Sequence, residues 1–271
     1  MIFIILVLLG LCFGSFVNAA VWRIHEQQST KPKHNNLSVV AGRSMCPNCS
    51  HVLSALDLIP VLSWVWLRGK CRYCHKKISW QYPTVEIATT VLFVLSYVYW
   101  PFNFDSLGML QFSLWLVFLI GFMVIFVYDT KWMIIPNRVI YPLIVLGIVY
   151  VLLSSIANGS FDPIIRALYG VIIASGLFYG LFQISGGKWI GGGDVKLGFA
   201  IGLIIGGATQ AVLVLFIASL LGCFVSIPLL ISGQGRKKKV PFGPFLIIAT
   251  FVVMLFGASI STWYQNNILL L

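Results

Sequence analysis

The sequence predicts an all-α polytopic membrane protein with about eight transmembrane helices and a cytoplasmic, zinc-knuckle-like loop between the first and the second. Hydrophobic residues make up 59% of the 271 residues, and charged residues make up 9%, whereas soluble domains carry about 25% charged residues. The apolar residues form continuous runs, many of them close to the ~20 residues that a helix needs to cross a bilayer. These features exclude a disordered chain, a coiled coil and almost any soluble fold. A β-barrel is excluded because its strands would alternate apolar and polar residues.

Eight apolar segments are predicted to cross the membrane. In order, they are residues 1–20, 84–100, 109–128, 139–157, 164–184, 195–207, 209–231 and 244–262. The sixth segment is short and rich in glycine. The polar stretch 21–83 separates the first helix, 1–20, from a transmembrane core, 84–271, which gives the chain three parts.

The basic residues predict the orientation of these helices. If the N-terminus lies outside, the inside loops are residues 21–83, 129–138, 185–196 and 232–243. These loops hold 17 of the 18 Lys and Arg residues, and Arg166 is the exception, in agreement with the positive-inside rule. The first segment has no basic region before it, but Arg23, Lys31 and Lys33 follow it, which favours a retained helix over a cleaved signal peptide. The basic run 236–239 is predicted to face anionic lipid rather than nucleic acid.

Two CxxC pairs in the polar stretch predict a metal site. Cys46 and Cys49 are separated from Cys71 and Cys74 by 21 residues, and two such pairs make a four-thiolate zinc site geometrically natural. Disulfides are the alternative, but the reducing cytoplasm disfavours them. Four cysteine ligands would leave no open position on zinc, so a structural role is expected. The histidines that follow the pairs, His51 and His75, are either substitute ligands or ordinary loop residues.

Two aspartates at predicted helix ends are candidate catalytic residues. Asp129 ends the third segment and Asp194 begins the sixth, with two crossings between them. Both therefore lie on the same side of the membrane and at similar depth, where ionisable groups are rare and usually functional. Two carboxylates held close together share a proton and can perform acid–base chemistry on a peptide bond. The alternatives are a helix cap, a topology anchor, or a metal- or cation-transport site.

Four further residues are candidates for substrate contact or structural support. Gly191 and Gly193 precede Asp194 and would permit close approach of a backbone. Lys196 is a candidate charge partner of Asp194. Glu86 is either a contact for a ligand or a residue that the helix dipole favours at a helix start.

The order of motifs along the chain resembles the prepilin peptidase (type IV leader peptidase) family. The motifs are GSFVN at 14–18, the two CxxC pairs, DLIPVLSW at 57–64, ISWQYPTVE at 78–86, DTKWMIIPN at 129–137, GGGD at 191–194 and PFGPF at 241–245. Many members of the family have Asp where Asn137 stands here. GGGD fits the GxGD signature of a class of membrane aspartyl proteases.

The resemblance implies an enzyme of the bacterial inner membrane that acts at its cytoplasmic face. Such enzymes cleave the basic leader from type IV prepilins and pseudopilins after a Gly, and many then methylate the new N-terminus with S-adenosylmethionine. Asp129 and Asp194 would be the catalytic pair of the core 84–271, and the Cys-containing loop 21–83 is associated with the bifunctional members. Because leader and inside loops are both basic, we also expect Glu86 and Asp57 to offset their repulsion.

Several alternatives to this function are open at this point. The nearest is a peptidase with structural zinc and no methyltransferase activity. More distant ones are an intramembrane protease of the presenilin type, a cation or metal transporter, and a structural assembly protein. The pattern does not identify an S-adenosylmethionine site, a particular pilin or an oligomeric state.

Overall fold

The computed structural model describes residues 1–28, 38, 42–232 and 240–267. Lys31, Lys33 and the basic run 236–239 lie outside these described residues. Within them, the nine α-helices are α1 (Ile2–Gln28), α2 (Leu62–Trp66), α3 (Gln81–Val98), α4 (Ser106–Trp132), α5 (Asn137–Asn158), α6 (Asp162–Ser185), α7 (Gly192–Ile205), α8 (Ala208–Ile231) and α9 (Gly243–Asn267). A single 3₁₀ turn, Ala55–Leu58, precedes α2.

Six of these helices are long and apolar enough to cross a membrane: α1, α4, α5, α6, α8 and α9. The protein is therefore a multi-pass membrane protein, as predicted. The other two predicted spans fall on α3 and α7, which do not reach the same length and hydropathy. With 14 residues, α7 is about 21 Å long, shorter than the ~30 Å hydrocarbon core.

The chain divides into two compact units. Unit 1 comprises Met1–Val98 and Leu119–Val124, and unit 2 comprises Tyr99–Phe118 and Ile125–Leu271.

In unit 1, α1 and α3 pack as an antiparallel pair. The rings of Phe3 and Tyr97 meet at 5.4 Å between centroids. A Cβ at Gly10 would lie 2.5 Å from the Cα of Thr90, and one at Gly14 would lie 2.5 Å from the Cα of Glu86. Further along, Asn18 donates a hydrogen bond to the Tyr82 carbonyl at 3.0 Å. These contacts proceed toward the C-terminus of α1 and toward the N-terminus of α3. The two helices therefore lie side by side, and α3 lies at the same depth as the membrane-spanning α1.

The segment between α1 and α3 is organised by a buried carboxylate. Asp57 accepts hydrogen bonds from the N–H and hydroxyl of Ser54 and from the Tyr73 hydroxyl, and it forms an ion pair with Arg72 at 2.7 Å. Burial acts to raise the pKa of this carboxyl, but the hydrogen bonds from Ser54, Arg72 and Tyr73 outweigh it and hold the pKa below its usual range. Asp57 thus joins the 3₁₀ turn to the second CxxC pair.

In unit 2, the short α7 is the centre of the packing. It contacts α5, α6, α8 and α9, and half of its residues are buried. Against α6 the contact is backbone to backbone: a Cβ at Gly202 would lie 2.5 Å from the Val171 nitrogen, and one at Gly198 would lie 2.7 Å from the Ala174 carbonyl oxygen. The glycines of the sixth predicted segment are therefore the residues that allow α7 to pack closely against α6.

Helix ends in unit 2 follow from local sequence. Asp105 caps α4 by accepting a hydrogen bond from the N–H of Gly108 at 2.7 Å. Gly159, Gly186 and Gly206 end α5, α6 and α7 in the left-handed conformation, which glycine adopts without steric cost.

A matched pair of substitutions in α6 tests the close packing against α7. A Cβ at Gly170 would lie 2.4 Å from the Gly202 carbonyl oxygen, whereas no atom lies within 4 Å of a Cβ at Gly176. We expect Gly170→Ala to destabilise the protein by about 1–3 kcal/mol through overpacking and Gly176→Ala to have little effect. Thermal unfolding in detergent would measure both, and equal melting temperatures for the two variants would contradict the α6–α7 contact.

A second pair of substitutions tests the role of Asp57. Since its pKa is lowered in the fold, its contribution is present above the unfolded value near 4 and is lost as pH falls through the folded value. We expect Asp57→Asn to cost about 1–3 kcal/mol at pH 7 and the difference from wild type to shrink progressively below pH 4.

The control is Asp162→Asn, because the Asp162–Arg166 ion pair is exposed on both sides and such pairs contribute little. A pH-independent difference between wild type and Asp57→Asn would show that the ionised carboxylate is not what stabilises the segment.

Candidate active site and candidate metal centre

Asp129 lies in the last turn of α4, and only 5% of it is exposed. The helix ends at Met133, whose N–H donates back to the Asp129 carbonyl at 2.8 Å. The Asp129 carboxylate accepts a hydrogen bond from the N–H of Gly243, the first residue of α9. A Cβ at Gly243 would lie 2.6 Å from Asp129 Oδ2, so only glycine allows the start of α9 to approach this carboxylate so closely.

Asp194 is the third residue of α7 and is half-buried. Its carboxylate accepts a hydrogen bond from the N–H of Gly191, the residue at which the helix begins. This is the backbone contact of a capping box, in which an acid at the third helical position satisfies the N–H of the cap residue. The predicted capping role therefore describes this contact, and it does not exclude a second role.

The two carboxylates both lie at α7: Asp194 is in its first turn, and a Cβ at Gly243 would lie 2.6 Å from Asp129 Oδ2 and 3.7 Å from Leu197 Cδ2 of the same helix. Each of them accepts a hydrogen bond from a helix N-terminus, α9 for Asp129 and α7 for Asp194. The free N–H groups and the positive end of the helix dipole stabilise negative charge there. The fold thus places Asp129 beside α7, and the catalytic pair itself stays a prediction.

The residues around Asp194 differ from one another in their roles. A Cβ at Gly193 would lie 3.1 Å from the Cβ of Ile135, whereas one at Gly191 would meet only ordinary contacts at 3.6 Å and beyond. The absence of a side chain therefore allows tight packing at Gly193, whereas a Cβ would be accommodated at Gly191. Lys196 is not a charge partner of Asp194: its Nζ donates to Asn137 Oδ1 at 2.8 Å and lies 5.0 Å from the ring centroid of Tyr141.

Glu86 belongs to unit 1 and is 6% exposed. It accepts hydrogen bonds from the N–H of Val61, at 2.7 Å, and from the Ser15 side chain. The Asp57 carboxylate also has partners within the protein: its side chain is 3% exposed and forms an ion pair with Arg72. The expectation that Glu86 and Asp57 offset repulsion of a basic leader stays a prediction; for Asp57, the ion pair with Arg72 leaves little net negative charge for this role.

The four cysteines form the candidate metal centre. The sulfurs of Cys46, Cys49, Cys71 and Cys74 all lie within 4.8 Å of one another, and Cys46 Sγ is 3.9 Å from Cys74 Sγ. A tetrahedral zinc with bonds of 2.3 Å would separate its sulfurs by about 3.8 Å, so the cluster fits such an ion. The cysteines are all free rather than disulfide-bonded.

Two equivalent turns hold these sulfurs. In the first, Ser50 has φ +59° and donates its N–H to the Cys46 carbonyl at 2.9 Å; in the second, His75 has φ +57° and donates to the Cys71 carbonyl at 3.0 Å. A single antiparallel bridge closes each turn. His51 stacks on Tyr73 at 3.7 Å, and the metal-capable group contains neither histidine.

The environment of the sulfurs favours one thiolate. Burial acts to raise the pKa of the Cys46 thiol, but hydrogen bonds from the N–H groups of Cys49 and Asn48 and from the thiols of Cys49 and Cys71 lower it to about 7. For Cys74, the N–H of Lys76 favours the thiolate, but burial and the three neighbouring thiols raise the pKa to about 11. Cys46 is therefore more readily ionised than Cys74.

Gly243 is a member of the site that sequence reasoning did not single out. It lies in the PFGPF motif at 241–245, which was part of the family resemblance, but the motif gives no sign that it reaches Asp129. Ile135, which packs on Gly193, lies in the motif that begins at Asp129 and was likewise not identified.

Comparison with known proteins supports one family over the length of the chain. Residues 8–100 match the bacterial peptidase A24 N-terminal domain, and residues 116–227 match the type IV leader peptidase family. No solved structure matches.

Three similar curated proteins each carry the name prepilin leader peptidase/N-methyltransferase. The protein from Aeromonas hydrophila is 32% identical over 98% of this chain and 95% of its own. The protein from Bacillus subtilis is 30% identical over 96% of both chains. The protein from Pseudomonas aeruginosa is 29% identical over 95% of this chain and 91% of its own. These similarities show that the chain belongs to the type IV leader peptidase family of enzymes.

Proposed function

We propose that this protein removes the leader from type IV prepilins or pseudopilins by aspartyl-catalysed hydrolysis and then methylates the new N-terminus. The observation that carries the peptidase assignment is that the Asp129 carboxylate packs at α7, the helix whose first turn carries Asp194. The two aspartates come from different helices, and each accepts a hydrogen bond from the start of a helix.

The carboxylate pair supplies both halves of an acid–base mechanism. One carboxylate takes a proton from water while the water oxygen bonds to the carbonyl carbon, and the other gives its proton to the carbonyl oxygen. Collapse of the tetrahedral intermediate breaks the C–N bond, and the leaving amine takes the proton that the first carboxylate received. Base and acid are roles of the pair and are not assigned to one aspartate each.

The active site is proposed to face the cytoplasm, with the N-terminus outside, in the cytoplasmic membrane of a bacterium. The support is the placement of 17 of 18 Lys and Arg residues on one side in the predicted topology, together with the position of Asp129 at the end of α4 on that same side. A basic leader would be retained on this side by the same rule. The cleaved bond, after a Gly of the leader, would then lie near the carboxylate pair.

Methylation is proposed from the names of the relatives, which are called N-methyltransferases as well as peptidases. S-adenosylmethionine would supply the methyl group to the amine that hydrolysis releases. The alternative is a peptidase alone. A transporter is disfavoured because the family is one of peptidases, and because Glu86, Asp129 and Asp194 lie near helix ends rather than mid-span.

The cysteine cluster is proposed to hold structural zinc. Zinc would bind all four sulfurs and hold the two turns together, because the segment around them has little core of its own. No open ligand position would remain for chemistry on the substrate.

Replacement of either aspartate tests the peptidase assignment. We expect Asp129→Asn and Asp194→Asn each to reduce cleavage of a prepilin-like substrate by about a hundredfold or more, because each removes one half of the acid–base pair. Intact mass of the product, with S-adenosylmethionine present, reports leader removal and methylation in one measurement.

Asp162→Asn is the control, because Asp162 is exposed and pairs only with Arg166, and it should cleave like wild type. Full cleavage by a folded Asp129→Asn or Asp194→Asn variant would refute the mechanism. A cleaved but unmethylated product of the wild-type protein would support the proposed peptidase activity and contradict the proposed methyltransferase activity.

Metal analysis tests the zinc proposal without any assay of activity. We expect one zinc ion per purified chain, lost in Cys71→Ser because this removes a buried ligand, and retained in Cys223→Ser because Cys223 lies in α8 outside the cluster. Elemental mass spectrometry would measure both, and full zinc content in Cys71→Ser would exclude the four-thiolate site.

A further inference from the structure

Unit 1 carries an exposed apolar surface next to the cysteine cluster. We call it the α2 surface, and it consists of Leu56, Leu62, Val65, Trp66 and Trp80, whose exposed fractions are 63%, 60%, 60%, 82% and 70%. Leu62, Val65 and Trp66 lie on one face of α2, since they are spaced three and four residues apart. Leu56 and Trp66 also line one open apolar cavity of about 280 Å³. Exposed apolar side chains gathered in this way mark an interaction surface.

Two contacts fix the depth of the α2 surface relative to the membrane. The N–H of Val61, the residue before α2, donates to Glu86, which lies within the antiparallel α1–α3 pair about 8 Å along α3 from its first residue. The ring of Trp64 packs 4.1 Å from that of Trp80, which directly precedes α3. Because α3 is level with the membrane-spanning α1, α2 is held where these two helices enter and leave the bilayer.

The net charge of residues 42–80 indicates which kind of partner could cover the α2 surface. Residues 42–80 contain six Lys and Arg residues and one acid, Asp57. A zinc ion bound by four thiolates would have a net charge of about −2, so the segment would stay positively charged. Arg68, Lys70, Lys76 and Lys77 are exposed. A second copy of this segment or a basic leader peptide would be repelled, whereas anionic lipid would be attracted.

We propose that the α2 surface inserts into the boundary between headgroups and acyl chains of the leaflet at which α1 ends and α3 begins, with the surrounding basic side chains on anionic headgroups. Tryptophan is enriched at this level of a bilayer, and Trp66 and Trp80 are the most exposed members of the surface. Insertion would anchor the cysteine cluster to the membrane independently of its metal. The proposal rests on the membrane-spanning fold and not on the peptidase activity.

Photo-crosslinking of the full-length protein tests this insertion. The photoreactive amino acid p-benzoylphenylalanine is placed at Trp66 and, in a second variant, at Val65, and the protein is reconstituted in nanodiscs of equal phosphatidylglycerol and phosphatidylcholine. We expect lipid adducts by intact mass at both positions, with phosphatidylglycerol adducts in roughly fivefold excess, the enrichment that one basic contact gives.

The control places the same residue at Asn48, which is exposed in the first cysteine turn and outside the α2 surface. Few lipid adducts are expected there. Equal lipid labelling at Asn48 and Trp66, crosslinks from Trp66 to a second protein chain, or equal labelling of the two lipids would each overturn the proposal. None of these readouts depends on cleavage or methylation, so failure of the proposed function would leave the test intact.

Discussion

Three carboxylates at membrane depth are held by the same kind of contact, a hydrogen bond from a backbone N–H at the start of a helix. Glu86 accepts from Val61 before α2, Asp129 accepts from Gly243 at the start of α9, and Asp194 accepts from Gly191 before α7. A polar group removed from water needs an internal partner. Helix N-termini supply unpaired N–H groups with favourable dipoles and no added positive side chain.

This constraint explains why the helices are arranged as they are around Asp129. The carboxylate lies at the C-terminal end of its own helix, where the dipole is unfavourable to negative charge. The N-terminus of α9 offsets this, and the lack of a side chain at Gly243 is what permits the approach. Lys196, in the same helix as Asp194, is bound to Asn137 and not to a carboxylate.

Glycine has a second use in the membrane-spanning part, where it replaces side-chain packing with backbone contact. Gly10 and Gly14 bring α1 against α3, and Gly198 and Gly202 bring α7 against α6. Small residues at helix interfaces are favoured in membranes because no hydrophobic effect drives the helices together there, so that close van der Waals contact must do so. The cysteine segment depends on Asp57, which also accepts a backbone N–H at a helix start, that of Ser54, and on the paired turns and the proposed metal.

The sequence by itself determined the class of the protein, because long apolar runs and the paucity of charge are local properties that only a bilayer accommodates. It also determined the cysteine cluster, since two CxxC turns form locally and need only meet, and it predicts the catalytic aspartates from their positions at helix ends. The tertiary structure decided which partners these groups have. The Gly243 contact to Asp129, the Val61 contact to Glu86 and the Asn137 contact to Lys196 join residues 25 to 114 positions apart in the chain. No periodicity of a single helix encodes such contacts, because they arise only when helices pack against one another.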